Sequence, residues 1–212
     1  MIALNDLYEK LFEKYGDLHW WPGDSLDEII IGAVLTQRTS WNNVEKAIKN
    51  LKEKGILSLE AVLNSDEYLL KECIRPSGFY QSKACVLKRV SSFFSINKIK
   101  EFEETNDIEK IRRQLLDIKG IGPETADSIL LYGFNKRIFV VDAYTKRIIE
   151  RIGYKETDYD GIQKLFEKTI KADVEIYKNY HAVIVQHGKE VCRKKPLCNK
   201  CVIKEFCNYS VP

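Results

Sequence analysis

The 212-residue chain contains no apolar run of membrane-spanning length, so nothing in it reads as a transmembrane helix. Its opening residues, MIALNDLYEKLFEKYG, form an amphipathic pattern of mixed charge rather than a signal peptide. No repeat of fixed period, low-complexity segment or flexible linker occurs, which removes solenoids and tethered modules from consideration. An excess of one charge is also missing: 34 basic and 31 acidic side chains leave a net charge of +3. There is therefore no blanket positive field, and any contact with nucleic acid has to come from local clustering. Prolines number only five and 44% of residues are apolar, enough at this length for one sizeable core or two lobes sharing one. These features point to a cytoplasmic protein with no membrane partner.

The periodicity that is present is almost entirely helical, with short polar connections. Leu4, Leu7, Tyr8, Leu11, Phe12 and Tyr15 share one face of a first helix that ends at Gly16. Ser25-Leu26-Asp27-Glu28 has the form of a capping box, opening the apolar helix IIIGAVL. Another helix starts at Asn42 or Asn43, and short ones cover 60–63 and 68–74. Pro76-Ser77-Gly78 makes a turn before a basic helix carrying Lys83, Lys88 and Arg89. Further helices are expected over 146–152, about 160–170, and 173–191. The expected fold class is all-α.

Residues 116–147, LDIKGIGPETADSILLYGFNKRIFVVDAYTKR, are the stretch around which the rest is arranged. A helix with Ile108, Ile111, Leu115 and Ile118 on one face runs into Gly120 and Gly122, two residues apart. Glycine permits positive φ and close approach of another molecule to the main chain. Pro123 follows, pre-set for the first position of a helix that runs to about Leu131, with Gly133 as its stop. The exposed amides of such a hairpin, at Gly120, Gly122 and Thr125, can hold a phosphate oxygen. Phe139-Val140-Val141 then leads into Asp142, which fits a helix N-cap, and into the basic residues Lys146 and Arg147.

Six cysteines in a cytoplasmic chain favour metal or thiol chemistry over disulfides. Cys192, Cys198, Cys201 and Cys207 lie within sixteen residues in the pattern Cys-x5-Cys-x2-Cys-x5-Cys and can wrap one metal centre. Zinc also takes four thiolates, but its ribbons pair two Cys-x-x-Cys hooks, and here only Cys198 and Cys201 are so paired. Cys73 and Cys85 sit in apolar helical settings and read as small core residues. Lys194 and Lys195, with Lys189, Arg193, Lys200 and Lys204, make the cysteine loop either a phosphate-contacting surface or a solvated charged tail.

GIGPETADSILLY followed by VVDAYTKR resembles the helix-hairpin-helix and Gly/Pro-Asp motif of the endonuclease III superfamily of DNA glycosylases, and the cysteine tail resembles its [4Fe-4S] loop. The first cysteine gap is five residues, where endonuclease III has six. WWPGDS, LTQRTSW and RPSGFYQSKA are closer to the 3-methyladenine glycosylase III branch. The resemblance implies a monomeric, two-lobed helical glycosylase acting on double-stranded DNA with a damaged base, with a [4Fe-4S] cluster as cofactor and zinc as the alternative. It places a six-helix domain over 26–137 and a second lobe over 1–25 plus 138–212. Such enzymes extrude the target nucleotide from the duplex. By this resemblance Asp142 is the catalytic carboxylate that stabilises the electron-poor sugar or activates water. Gln37 matches a glutamine that family members push into the emptied stack, although it also fits an ordinary helix-end residue. Trp20, Trp21 and Trp41 either sandwich the extruded base or pack in the core. Glu124 stands where bifunctional relatives carry the imine-forming lysine, and a carboxylate cannot form an imine. The expected activity is therefore monofunctional hydrolysis of alkylated purines such as 3-methyladenine. The alternatives are removal of oxidised or deaminated bases, with or without strand cleavage, and a non-enzymatic DNA-binding module in which Asp142 is only a cap.

Overall fold

The computed structural model describes residues 2–94 and 96–209; among them are twelve α-helices and no strand. In chain order these are α1 (Leu4–Tyr15), α2 (Leu26–Leu35), α3 (Trp41–Glu53), α4 (Leu59–Asn64), α5 (Glu67–Ile74), α6 (Tyr80–Phe93), α7 (Ile96–Glu104), α8 (Ile108–Leu116), α9 (Pro123–Ser128), α10 (Ala143–Arg151), α11 (Tyr159–Thr169) and α12 (Val174–Glu190). The chain divides into two compact units, one of Pro22–Lys136 and one of Met1–Trp21 with Arg137–Pro212.

Most helices begin where a short polar side chain satisfies a free amide. Ser25, Ser58, Asp66, Asp107, Asp142, Asp158 and Asp173 each accept a hydrogen bond from a backbone N–H in the first turn that follows. Each such cap is worth about 1 kcal/mol. At α2 the box closes with a shift: Ser25 Oγ accepts from Glu28 N at 3.2 Å, while Glu28 Oε2 accepts from Asp24 N rather than from the cap residue.

In the Pro22–Lys136 unit, α2 is the core helix, with Ile30, Ile31, Val34 and Leu35 inaccessible to solvent. It packs on α3, α6 and α9. Eight α-helices occupy the described residues of this unit, where the resemblance implies six over 26–137. Phe94, Phe102 and Phe134 close one end as a cluster with ring centroids 5.1–5.7 Å apart.

The other unit packs α1 and α10 against α12. Leu4, Leu7 and Leu11 are wholly buried, and Tyr180 Oη donates to Leu4 O at 2.8 Å. Within this unit Ile138–Val141 is buried and leads directly into Asp142. Phe139 stacks on Phe166 at 4.1 Å, its N–H donates to Glu167 Oε1, and its carbonyl accepts from Gln163 Nε2. These contacts fix the backbone that delivers Asp142 to the start of α10.

Candidate functional site

The hairpin joins α8 to α9 through Asp117–Gly122, and α9 continues as a single π turn over Ile129–Gly133. Gly120 has φ +103°, and a Cβ there would collide with Val86 Cγ2, so glycine is required. Gly122 is different: its φ is −104°, and open space surrounds the position a Cβ would take. Its lack of a side chain answers no need of the unit itself. Arg112 Nε and Nη2 grip Asp127 Oδ1 and Oδ2 at 2.7 and 3.1 Å, locking α8 to α9; Asp127 is wholly buried. Glu124 is exposed in the first turn of α9, where a carboxylate suits the helix dipole. Thr125 is buried, and its hydroxyl accepts from Gln37 Nε2 at 3.0 Å.

Gln37 is docked rather than projecting. Its Nε2 also donates to Gly120 O at 3.0 Å, so one amide satisfies two acceptors of the turn. Next to it stand two residues in left-handed backbone conformation, Arg38 (φ +54°) and Phe79 (φ +48°). The Arg38 guanidinium lies 6.0 Å from the centre of the Phe79 ring, and that ring is 63% exposed at the start of α6. Non-glycine residues in this conformation are uncommon and gather at functional positions. Sequence reasoning missed Phe79; its only local signal was its place after the Pro76-Ser77-Gly78 turn. Trp41, in the same unit, is half-buried and donates to Glu45 Oε1 at 2.9 Å.

In the other unit Asp142 is both cap and carboxylate. Its Oδ1 accepts from Thr145 N at 2.7 Å and Thr145 Oγ1 at 2.9 Å. Its Oδ2 lies 3.9 Å from His181 Nε2 on α12. Burial holds the His181 pKa below the ordinary imidazole value, more strongly than Asp142 pulls it up. Asp142 is 8% exposed, so the charge sits in a site of low dielectric where its field is little screened. Trp20 and Trp21 are half-buried and meet edge to face at 5.8 Å, and the Lys189 ammonium lies 5.0 Å over the Trp20 ring.

All four tail cysteines line one cavity of about 410 Å³, walled by Ile148, Ile152, Val191, Pro196 and Ile203 and edged by Arg151, Lys204 and Tyr209. None is in a disulfide. Among the described residues, no three cysteine, histidine or carboxylate side chains converge on one ion position. Four thiolates around one cavity could hold either a zinc ion or a cluster of several atoms. Positive charge is supplied as well: Arg151 Nη1 donates to Cys192 Sγ at 3.2 Å and to Arg193 O at 2.8 Å. Cys73 is buried in α5; Cys85 is exposed, not a core residue, because it falls on the outer face of α6. Lys194 and Lys195 are exposed, on backbone that Arg151 Nη2 holds through Lys194 O.

A family model described as HhH-GPD superfamily base excision DNA repair protein matches residues 31–172. A candidate DNA repair glycosylase of Methanocaldococcus jannaschii is 50% identical over 206 residues, spanning 95% of this chain and 94% of its own. The structure of an H. pylori 3-methyladenine DNA glycosylase bound to 1,N6-ethenoadenine superposes with TM-score 0.75 at 32% identity, covering 89% of this chain and 98% of that one. A trapped endonuclease III–DNA covalent intermediate superposes with TM-score 0.80 at 21% identity, covering 98% and 96%, a likeness of fold.

Proposed function

Because this chain belongs to the HhH-GPD superfamily of base excision DNA repair proteins, and is a DNA glycosylase by that membership, we propose that it hydrolyses the glycosidic bond of alkylated purines without cutting the strand. The observation that carries the monofunctional reading is Glu124, which occupies the exposed first turn of α9 where an imine-forming amine would be needed. Lys119 lies on the other side of the hairpin turn, and its carbonyl is tied to Arg89. With no amine to attack the sugar, water takes the place of the departing base. Asp142 stabilises the positive charge that develops on the sugar, and its enclosed setting strengthens that effect.

Two features support alkylated purines as the substrate class. The Trp20 face already holds a cation, Lys189, and a cationic alkylated base offers the same interaction. The H. pylori 3-methyladenine glycosylase at 32% identity agrees with it. Phe79, exposed on strained backbone beside Gln37 and Arg38, serves as the apolar wedge that a duplex-opening enzyme inserts between bases. The hairpin amides and the lysines of the cysteine loop contact phosphates. The loop cavity holds a [4Fe-4S] cluster, ligated by Cys192, Cys198, Cys201 and Cys207, which shapes the loop. Its visible absorption, which d¹⁰ zinc lacks, tests the assignment on the purified protein.

A panel of duplexes, each with one lesion, tests the activity. We expect release of 3-methyladenine or a related alkylpurine, an intact abasic strand, and no protein–DNA adduct on borohydride treatment. A trapped adduct would overturn the monofunctional reading, and release confined to oxidised or deaminated pyrimidines would overturn the substrate class.

A further inference from the structure

We propose that Tyr15 and His187 form a two-step hydrogen-bond relay that fixes His187 as a donor to the Cys201 sulfur and so raises the reduction potential of the cluster; this rests on the cluster reading above. His187, on α12, is wholly buried. Its Nδ1 lies 3.1 Å from Tyr15 Oη and its Nε2 3.5 Å from Cys201 Sγ. A neutral imidazole has one N–H and one bare nitrogen, so the two partners cannot be served alike. A cysteine that ligates iron is a thiolate with no proton to give. The nitrogen facing it must then carry the hydrogen, which leaves Nδ1 bare to accept the Tyr15 hydroxyl proton. Ligation thus selects one tautomer, and Tyr15 is placed to hold it.

The surroundings hold the two groups in this arrangement. The first helix is braced on the same loop by Lys14 Nζ, which donates to Lys200 O at 3.0 Å, and by the Lys10–Glu205 ion pair. Tyr15 therefore approaches from an element anchored beside the ligand it influences. Donors to cluster sulfurs offset negative charge and stabilise the reduced form, and such outer contacts tune metal centres generally.

The test compares wild type, Tyr15→Phe, His187→Leu and His187→Gln by iron and acid-labile sulfide content and by voltammetry of the cluster. Tyr15→Phe and His187→Leu are expected to move the potential to more negative values. Gln carries an amide N–H close to the place of Nε2, so it should restore most of the wild-type value. If His187→Leu does not fold, Tyr15→Phe, which removes one hydroxyl from a half-buried ring, decides the matter. An unchanged potential with the cluster intact in Tyr15→Phe overturns the relay. Wild-type protein that purifies without iron and sulfide overturns the cluster reading and this inference with it, a separate outcome seen before any variant is made.

Discussion

At Asp142 one carboxylate oxygen accepts both Thr145 hydrogen bonds and the other lies toward His181, so the cap and the proposed chemical role fall on one side chain. Asparagine caps helices about as well as aspartate but carries no charge. Asp142→Asn is therefore expected to keep the unfolding midpoint within about 0.5 kcal/mol while base release falls by roughly a hundredfold or more. Asp142→Ala should lose release and, in addition, about 1 kcal/mol of stability with the cap. Full release by the Asn variant would leave Asp142 as a cap alone. His181 adds a pH dependence at the same place. Its folded pKa is depressed, so as pH falls through 6.5 the unfolded chain takes up a proton that the folded chain refuses. Stability is then present above pH 6.5 and lost as pH drops toward the folded value. Thermal melts from pH 7.5 to 5 should show this loss, and His181→Gln should flatten it; an unchanged slope would mean the imidazole titrates normally. Burial sets the shift; Asp142 opposes it and Lys189 adds to it.

The elements were the most legible part of the chain, and capping explains why. A cap is a contact between residues three apart, so the Ser25 capping box announced α2 from sequence, and the helix expected over 173–191 does begin behind a capping aspartate, Asp173. Where that local signal fails, the reading failed: α3 starts at Trp41 behind Ser40, whose side chain caps nothing, and was placed one or two residues late. The left-handed backbone at Phe79 likewise has no side-chain cap to announce it. The hairpin is an intermediate case. Its position was legible, but the two glycines looked equivalent until their environments separated them. Gly120→Ala meets Val86 and a positive φ, so it should destabilise the Pro22–Lys136 unit by about 1–3 kcal/mol. Gly122→Ala meets open space at an ordinary φ and should leave the melt unchanged within about 0.5 kcal/mol. Its effect is expected on DNA instead, where a methyl group would hold a phosphate away from the α9 amides. Calorimetry and duplex-binding titrations on the two variants read these outcomes; equal DNA affinity for wild type and Gly122→Ala would remove the close approach.

For the molecule as a whole, 34 basic against 31 acidic residues leave too little net charge to steer DNA from a distance. Affinity then has to come from a few lysines held where phosphates pass. We propose Lys194 and Lys195 for that role, because their loop is pinned through Arg151 while both side chains remain exposed. Phosphate contacts do not read sequence or damage, so they add the same free energy to intact and lesion-bearing duplex. Each releases counterions, and the logarithm of the binding constant falls with the logarithm of salt by about 0.9 per contact. The double variant Lys194→Ala, Lys195→Ala is therefore expected to bind both duplexes more weakly by the same factor, and to lower the salt slope by about 1.8. Its melting temperature should not move, since neither side chain is buried. A slope equal to wild type across a salt series would show the two lysines to be solvated surface, and would shift the burden of DNA binding to the hairpin amides and the residues around Phe79.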